Sequence, residues 1–153
     1  MKIYIVPRYY IEKQLTKNLN WHINKWIISI YSSEKEIDFS PLPDRFNILK
    51  LQFDDIAEKN NNFILFNEDH AKKIHAFIKE IKVNDKKDFY IHCDAGISRS
   101  GAVGYLLNEY FNKFIVENKI DNEAFKINNS NIMPNPLVIR ILKNELFGKP
   151  YNK

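Results

Sequence analysis

Short runs of β-branched and aromatic residues alternate along this chain with amphipathic stretches of helical periodicity. Because strands that are joined through helices pair in parallel, the alternation predicts an α/β sandwich with a central, largely parallel sheet flanked by helices. The predicted strands are Lys2–Val6, Trp26–Ile30, Phe46–Phe53 and Asp88–His92. The predicted helices are Tyr10–Leu19, a stretch from Asn67 to about Asn84-Asp85, Ser100–Phe114, and a stretch that begins at Asn135-Pro136. We expect one packed domain over residues 1–153, with Asn118–Asn131 mostly irregular.

The composition supports a globular domain and excludes several classes of site. The 153 residues are 44% hydrophobic, and 23 Lys and Arg against 19 Asp and Glu give a net charge of +4. That balance mildly favours anionic partners without reaching the charge of a dedicated nucleic-acid binder. Cys93 is the only cysteine, which excludes an internal disulfide framework and a multi-cysteine zinc site. The apolar start stops at Pro7, too early for a signal peptide or a membrane span, so we expect a cytoplasmic protein.

The most informative segment is His92-Cys93-Asp94-Ala95-Gly96-Ile97-Ser98-Arg99-Ser100-Gly101, which follows a predicted strand and leads into a predicted helix. In such a loop, successive backbone N–H groups can point inward at the helix N-terminus and cradle a tetrahedral oxyanion. Gly96 can adopt the positive φ that the curl needs, and Arg99 can donate two parallel hydrogen bonds to phosphate oxygens. The residues predicted to bind phosphate are Asp94, Ala95, Gly96, Ile97, Ser98 and Arg99.

Cys93 lies where the predicted strand meets this loop. The loop amides and the helix dipole favour a thiolate, so we expect Cys93 to act as a nucleophile near neutral pH. The alternative interpretation is a small buried hydrophobic residue at a strand end, which is the usual role of a lone cysteine. The joint occurrence of His92, Gly96, Arg99 and Ser100 at fixed offsets from Cys93 favours the nucleophile.

The segment resembles the HC-x5-R-[ST] signature of the cysteine-dependent protein tyrosine and dual-specificity phosphatases. The run Ala95–Ser100 is most similar to the dual-specificity version, whereas Gly101 is similar to the tyrosine-specific one. Pro134-Asn135 also matches the Pro-Asn that opens a C-terminal helix in many dual-specificity enzymes. The resemblance therefore extends from about Leu51 to Leu146.

The resemblance implies a two-step hydrolysis of phosphate monoesters without a cofactor or metal. Cys93 would attack phosphorus to form a cysteinyl phosphate, Arg99 and the loop amides would hold the transition-state charge, and water would release phosphate. Ser100 would stabilise the departing thiolate, and His92 would brace the loop. The implied substrate is a protein phosphorylated on tyrosine, with serine and threonine as further candidates.

Three aspartates compete for the role of general acid, because the Trp-Pro-Asp motif of the tyrosine-specific enzymes is absent. Asp44 precedes the strand Phe46–Phe53, whereas Asp54 and Asp55 follow it. Catalytic groups gather beyond the carboxyl ends of parallel strands, so Asp44 would face the wrong edge. Resemblance to the dual-specificity segment, in which one variable residue separates the strand from the acid, favours Asp55 over Asp54. Paired aspartates at a strand end are also common in a solvated turn.

Three other functions stay open on the sequence. An RNA 5′-phosphatase is one, because some relatives with this signature act on RNA and the chain is mildly basic. A phosphoinositide phosphatase is less favoured, since such loops tend to carry lysines where this one has Asp94, Ala95 and Ile97. The third is a phosphoprotein-binding module with weak activity, although its usual mark is a lost nucleophile or arginine and both are present. A membrane is not an expected partner.

Overall fold

The computed structural model describes residues 1–40, 47–82, 85–115 and 122–148. Within these ranges the strands are β1 (Ile3–Pro7), β2 (Trp26–Tyr31), β3 (Ile48–Gln52) and β4 (Phe89–Cys93). The helices are α1 (Arg8–Lys17), α2 (Glu68–Lys79), α3 (Arg99–Phe114), α4 (Asn122–Asn128) and α5 (Pro136–Phe147), with a 3-10 turn at Trp21–Asn24. The predicted fold class, an α/β sandwich on a parallel sheet, is confirmed.

The four strands form one sheet in the order β1-β4-β2-β3, and every pairing is parallel. Strand β4 is therefore interior, and it is buried along its whole length. Pro7 at the end of β1 pairs with Cys93, and Ser29 of β2 pairs with His92. The carboxyl ends of β1 and β2 consequently flank the end of β4, at the edge where parallel sheets bind their ligands.

Alternate residues of β4 enter different hydrophobic clusters, as the two-residue period of a strand requires. Phe89 and Ile91 pack with Val103 of α3 in one cluster. Tyr90 packs with Ile11 of α1 in the other. The sheet is thus covered on both faces, which explains why its central strands β2 and β4 are buried almost continuously rather than at alternate positions. In the described ranges, no helix has both the length and the apolar character needed to cross a bilayer.

Helix α2 begins where the sequence predicts but ends earlier. The side chain of Asn67 accepts hydrogen bonds from the N–H groups of Asp69 and His70 and so caps the helix at its predicted start. The predicted end near Asn84-Asp85 is wrong, because the helix stops at Lys79. Beyond that residue the chain tightens into a turn, in which the Ile81 N–H donates to the Ile78 carbonyl at 3.2 Å.

Of the segment Asn118–Asn131, which we expected to be mostly irregular, residues 118–121 lie outside the described ranges. For the rest the expectation is wrong, because residues 122–128 form α4. A two-turn helix needs only a small apolar contact, and Phe125 supplies it by packing into the core with 6% of its surface exposed. Asn129 then binds the edge strand β1. Its Oδ1 accepts from the Ile5 N–H at 2.7 Å, and its Nδ2 donates to the Ile3 carbonyl at 2.9 Å. The side chain thus satisfies backbone groups that an edge strand otherwise leaves unpaired.

We predict that Asn129→Ala lowers the free energy of unfolding by about 2–4 kcal/mol, because it strands a buried donor and a buried acceptor of β1. Asn128→Ala is the matched control. Asn128 is exposed, and its replacement should change stability by less than about 0.5 kcal/mol. Denaturant unfolding of the two variants and the wild type makes the comparison, and equal stabilities would contradict the role of Asn129.

Candidate active site

The loop between β4 and α3 has backbone N–H groups that no other part of the described backbone uses. Strand β4 ends at Cys93 and α3 begins at Arg99. Among the described residues, no N–H from residue 94 to 98 donates to another backbone carbonyl. The cap residue Ser98 likewise makes no side-chain bond to the first turn of α3. Free amides at a helix N-terminus form the cradle that an oxyanion binds.

Carbonyl groups of the same loop are bonded away from it, to the start of α1 and to the segment that leads into α5. Asp94, Ile97 and Ser98 accept from the backbone N–H groups of Arg8 at 3.1 Å, Met133 at 3.0 Å and Asn135 at 3.1 Å. Gly96 has φ 73°, and a Cβ there would lie 2.5 Å from the Pro7 nitrogen and from the Val6 carbonyl carbon. Only glycine fits this close approach, so the end of β1 helps to fix the curl.

Cys93 and Ser100 meet at the base of the loop. Their Sγ and Oγ atoms are 3.1 Å apart, and their exposed fractions are 2% and 0%. When the sulfur is a thiolate it can only accept, so the hydroxyl of Ser100 then donates to it. The geometry gives the sulfur a hydrogen bond that stabilises its charged form.

His92 braces the loop from below as a neutral ring. Burial lowers its pKa to about 4, while the hydrogen bond to the Cys93 carbonyl acts in the opposite direction. Because a carbonyl only accepts, Nδ1 carries the proton and donates to Cys93 O at 3.1 Å. Nε2 therefore accepts from the Ser29 hydroxyl, at 2.5 Å. The ring thus connects the loop to the neighbouring strand β2.

The guanidinium of Arg99 has one nitrogen that makes two hydrogen bonds and another that makes none among the described residues. Nη1 donates to the Ser32 hydroxyl at 2.6 Å and to the Phe53 carbonyl at 2.9 Å. Nε is buried and has no hydrogen-bond partner among the described residues. Only 6% of the whole residue is exposed. A buried donor without a partner costs about 1–3 kcal/mol. A phosphate oxygen in the loop would satisfy it.

Asp55 lies over the loop, and Asp54 does not. Oδ1 of Asp55 accepts from the Ser98 hydroxyl and from Asn135 Nδ2, both at 2.8 Å. Oδ2 has no hydrogen-bond partner among the described residues, and the side chain is exposed. Asp54 instead closes the base of its own loop, since its Oδ2 accepts from the Ile64 N–H at 2.6 Å. Asp44 lies outside the described residues.

Two polar side chains of the site, those of Ser32 and Asn135, were not predicted to take part in it. Ser32, whose hydroxyl accepts a hydrogen bond from Arg99, directly follows β2. Its position at the carboxyl edge of the sheet is the sequence signal that could have identified it as a site residue. Asn135 was predicted only as the cap of α5, where its Oδ1 accepts from the N–H groups of Leu137 and Val138. A capping oxygen leaves the amide nitrogen free, and here that nitrogen reaches Asp55.

The structure brings together a thiol, a hydroxyl, a guanidinium, a carboxylate and a ring of free amides. A tetrahedral anion in the loop would meet donors around it, a nucleophile below it and a proton carrier above it. Among the described residues, no three His, Cys, Asp or Glu side chains are grouped so as to hold a metal ion.

Comparison with solved structures finds two crystal structures of PTPMT1 among its matches. The one in complex with PI(5)P is 20% identical, and the match covers 88% of this chain and 85% of that chain with a TM-score of 0.49. The other is 19% identical, with coverage of 95% and 90% and a TM-score of 0.48. No protein-family model and no curated protein matches the sequence. The chemical roles of the site residues therefore follow from the contacts that this chain itself makes.

We predict that His92 makes stability depend on pH between about 6.5 and 4. Its pKa is lowered from 6.5 to about 4, so the folded state binds fewer protons than the unfolded state in this window. The stabilisation is complete above pH 6.5 and is lost as the pH falls, by roughly 3 kcal/mol in all. Unfolding free energies of the wild type and His92→Gln at pH 7 and pH 4.5 measure the difference.

The variant lacks this titration, so its stability should fall less over the same interval. Parallel pH dependences would contradict the assignment. If His92→Gln does not fold, an NMR titration of the His92 ring in the wild type decides the question, and a midpoint near 6.5 would contradict it.

Proposed function

We propose that this protein is a phosphate monoester hydrolase of the protein tyrosine phosphatase type, with a cysteinyl-phosphate intermediate on Cys93. The observation that carries the proposal is the arrangement around Cys93 Sγ. Ser100 Oγ lies 3.1 Å away, the amides of residues 94–98 have no backbone partner among the described residues, and the buried Nε of Arg99 is unpaired. Together they fit a dianionic phosphate ester and a thiolate nucleophile.

In the first step, the ester phosphate occupies the loop. Loop amides and Arg99 bind its nonbridging oxygens, over which negative charge is spread in the transition state. The sulfur of Cys93 forms a bond to phosphorus as the phosphorus–oxygen ester bond breaks, and Asp55 gives its proton to the leaving oxygen. Ser98 and Asn135 hold the Asp55 carboxyl at the rim, where a leaving oxygen departs.

In the second step, a water molecule attacks the cysteinyl phosphate. Asp55, now a carboxylate, takes a proton from that water, and the sulfur–phosphorus bond breaks. The Ser100 hydroxyl donates to the thiolate that is released, which lowers the barrier to its departure. Phosphate leaves, and the enzyme returns to its starting protonation state.

Phosphotyrosine in proteins is the substrate that we propose. A phenol is a poor leaving group, and a positioned acid such as Asp55 is the device that expels it. Phosphoserine and phosphothreonine are further candidates for the same chemistry. We place the protein in the cytoplasm, because Cys93 has no second thiol in the chain to protect it and needs a reducing compartment.

We predict that Cys93→Ser abolishes turnover and still binds phosphate. A hydroxyl is a far poorer nucleophile at neutral pH, whereas the loop amides and Arg99 remain in place. Hydrolysis of a nitrophenyl-type phosphate measures turnover, and thermal stabilisation by inorganic phosphate measures binding. More than a few per cent of the wild-type rate in this variant would contradict the covalent mechanism.

We predict opposite behaviour for the two neighbouring aspartates. Asp55→Asn removes the proton carrier, so it should slow a phosphotyrosine peptide strongly and an activated nitrophenyl-type ester much less. It should also flatten the basic limb of the pH–rate profile. Asp54→Asn is the matched control and should do neither, because Asp54 bonds the backbone of Ile64. If the two variants exchange behaviours, Asp54 is the acid; if neither depends on the leaving group, the acid lies elsewhere.

A further inference from the structure

A cavity adjoins the phosphate loop on the side of β1. Its volume is about 430 Å³, and the four loop residues 94–97 form one of its walls. The start of α1 forms another wall, and the turn after α4, residues 128–132, forms a third. Because the cavity shares its wall with the loop, a group attached near a bound phosphate ester can enter it.

The turn after α4 presents polar side chains to this cavity from a fixed backbone. Asn129 is buried and is fully used in binding β1, as described above. The next anchor is the Met133 N–H, which donates to the Ile97 carbonyl of the loop. Between these anchors, Ser130 and Asn131 are exposed and make no side-chain hydrogen bond within the described residues. Their amide and hydroxyl groups are therefore free to bind a ligand.

The charge of the cavity is negative. Of the described residues that line it, Asp94 is the only charged one, and its side chain is exposed. The nearby cation Arg8 does not line the cavity. Two of its nitrogens bond other groups, Nε to Glu12 at 3.2 Å and Nη2 to the Lys35 carbonyl at 2.5 Å, and its buried Nη1 has no partner among the described residues. An amino or guanidinium group would find a carboxylate and neutral oxygen acceptors here.

Tyr9 adds an aromatic surface at the same place. It lines the cavity, and 69% of it is exposed, whereas its neighbour Tyr10 packs against Trp21 and Tyr90. A large aromatic side chain left in solvent at the rim of a polar cavity can stack on a guanidinium group. The cavity therefore combines a carboxylate, amide oxygens and an aromatic ring, and each of these groups favours a cation.

We infer that this cavity is a substrate subsite that takes a basic side chain next to the phosphorylated residue, preferably arginine. The inference rests on the proposed function and adds the sequence context of the phosphotyrosine. It also predicts what the enzyme rejects. A second phosphate at this place would meet the Asp94 carboxylate with no cation among the described lining residues to offset it. Doubly phosphorylated peptides are therefore poor substrates.

Matched phosphotyrosine peptides test the subsite. The four peptides differ only in the residues on both sides of the phosphotyrosine, which are arginine, glutamine, glutamate or phosphoserine. We expect kcat/KM to fall in that order, by about fivefold to tenfold from arginine to glutamate, because exposed ion pairs contribute about 1 kcal/mol or less each. The arginine-to-glutamate ratio should shrink in high salt.

Substitutions in the cavity test whether its residues cause the preference for arginine over glutamate. Asp94→Asn should reduce the arginine-to-glutamate ratio to about twofold or less, and Asn131→Lys should invert it by adding a cation to the turn. Glu109→Gln is the control, because Glu109 is an exposed acid on α3 outside this cavity, and it should leave the ratio unchanged. Since only the ratio within each variant is compared, a change in overall rate does not obscure the result.

The outcomes separate this inference from the proposed function. Turnover of an aryl phosphate with equal kcat/KM on all four peptides would leave the function standing and overturn the subsite. Preference for glutamate or phosphoserine would overturn it as well, and so would an arginine preference that survives in both Asp94→Asn and Asn131→Lys. Absence of aryl phosphate turnover in the wild type would overturn the proposed function itself and the subsite with it.

Discussion

The outward hydrogen bonds of the loop carbonyls are the constraint on which the site depends. Asp94, Ile97 and Ser98 direct these carbonyls to backbone N–H groups of two other segments, at Arg8 and at Met133 and Asn135, and the loop amides are left for a ligand. Gly96 allows the curl because it alone fits against the end of β1. The parallel register then places Cys93 beside Pro7 at the carboxyl edge of the sheet. An anion that enters the loop meets dipoles already oriented toward it, with little reorganisation left to occur.

The segment that leads into α5 contributes contacts to the site although it is distant in sequence from the loop. Asn135 caps α5 with one end of its amide and holds Asp55 with the other, while its backbone N–H bonds the loop at Ser98. Asn129 ties the preceding turn to the edge strand. The cap residue of α5, a helix that packs into the core, therefore also holds the carboxylate that we propose as the general acid.

Local sequence patterns predicted the four strands and most of the helices well but not the contacts between distant segments. The loop of residues 93–99 was predictable because a strand, a glycine-containing curl and a helix start lie within one short stretch. Helix α4 was missed because one buried Phe125 carries it, which leaves no periodicity to detect. Ser32 and the amide of Asn135 act only through tertiary contacts with Arg99 and Asp55, so no local pattern could assign them.

The most direct test of the central claim is to trap the covalent intermediate. The wild-type protein is mixed with an excess of an aryl phosphate, quenched in acid during turnover, digested and analysed by mass spectrometry. We predict one phosphoryl group on the peptide that contains Cys93, at the sulfur. Steady turnover with no phosphoryl adduct, or with the adduct on a different residue, would contradict the assignment of Cys93 as the nucleophile.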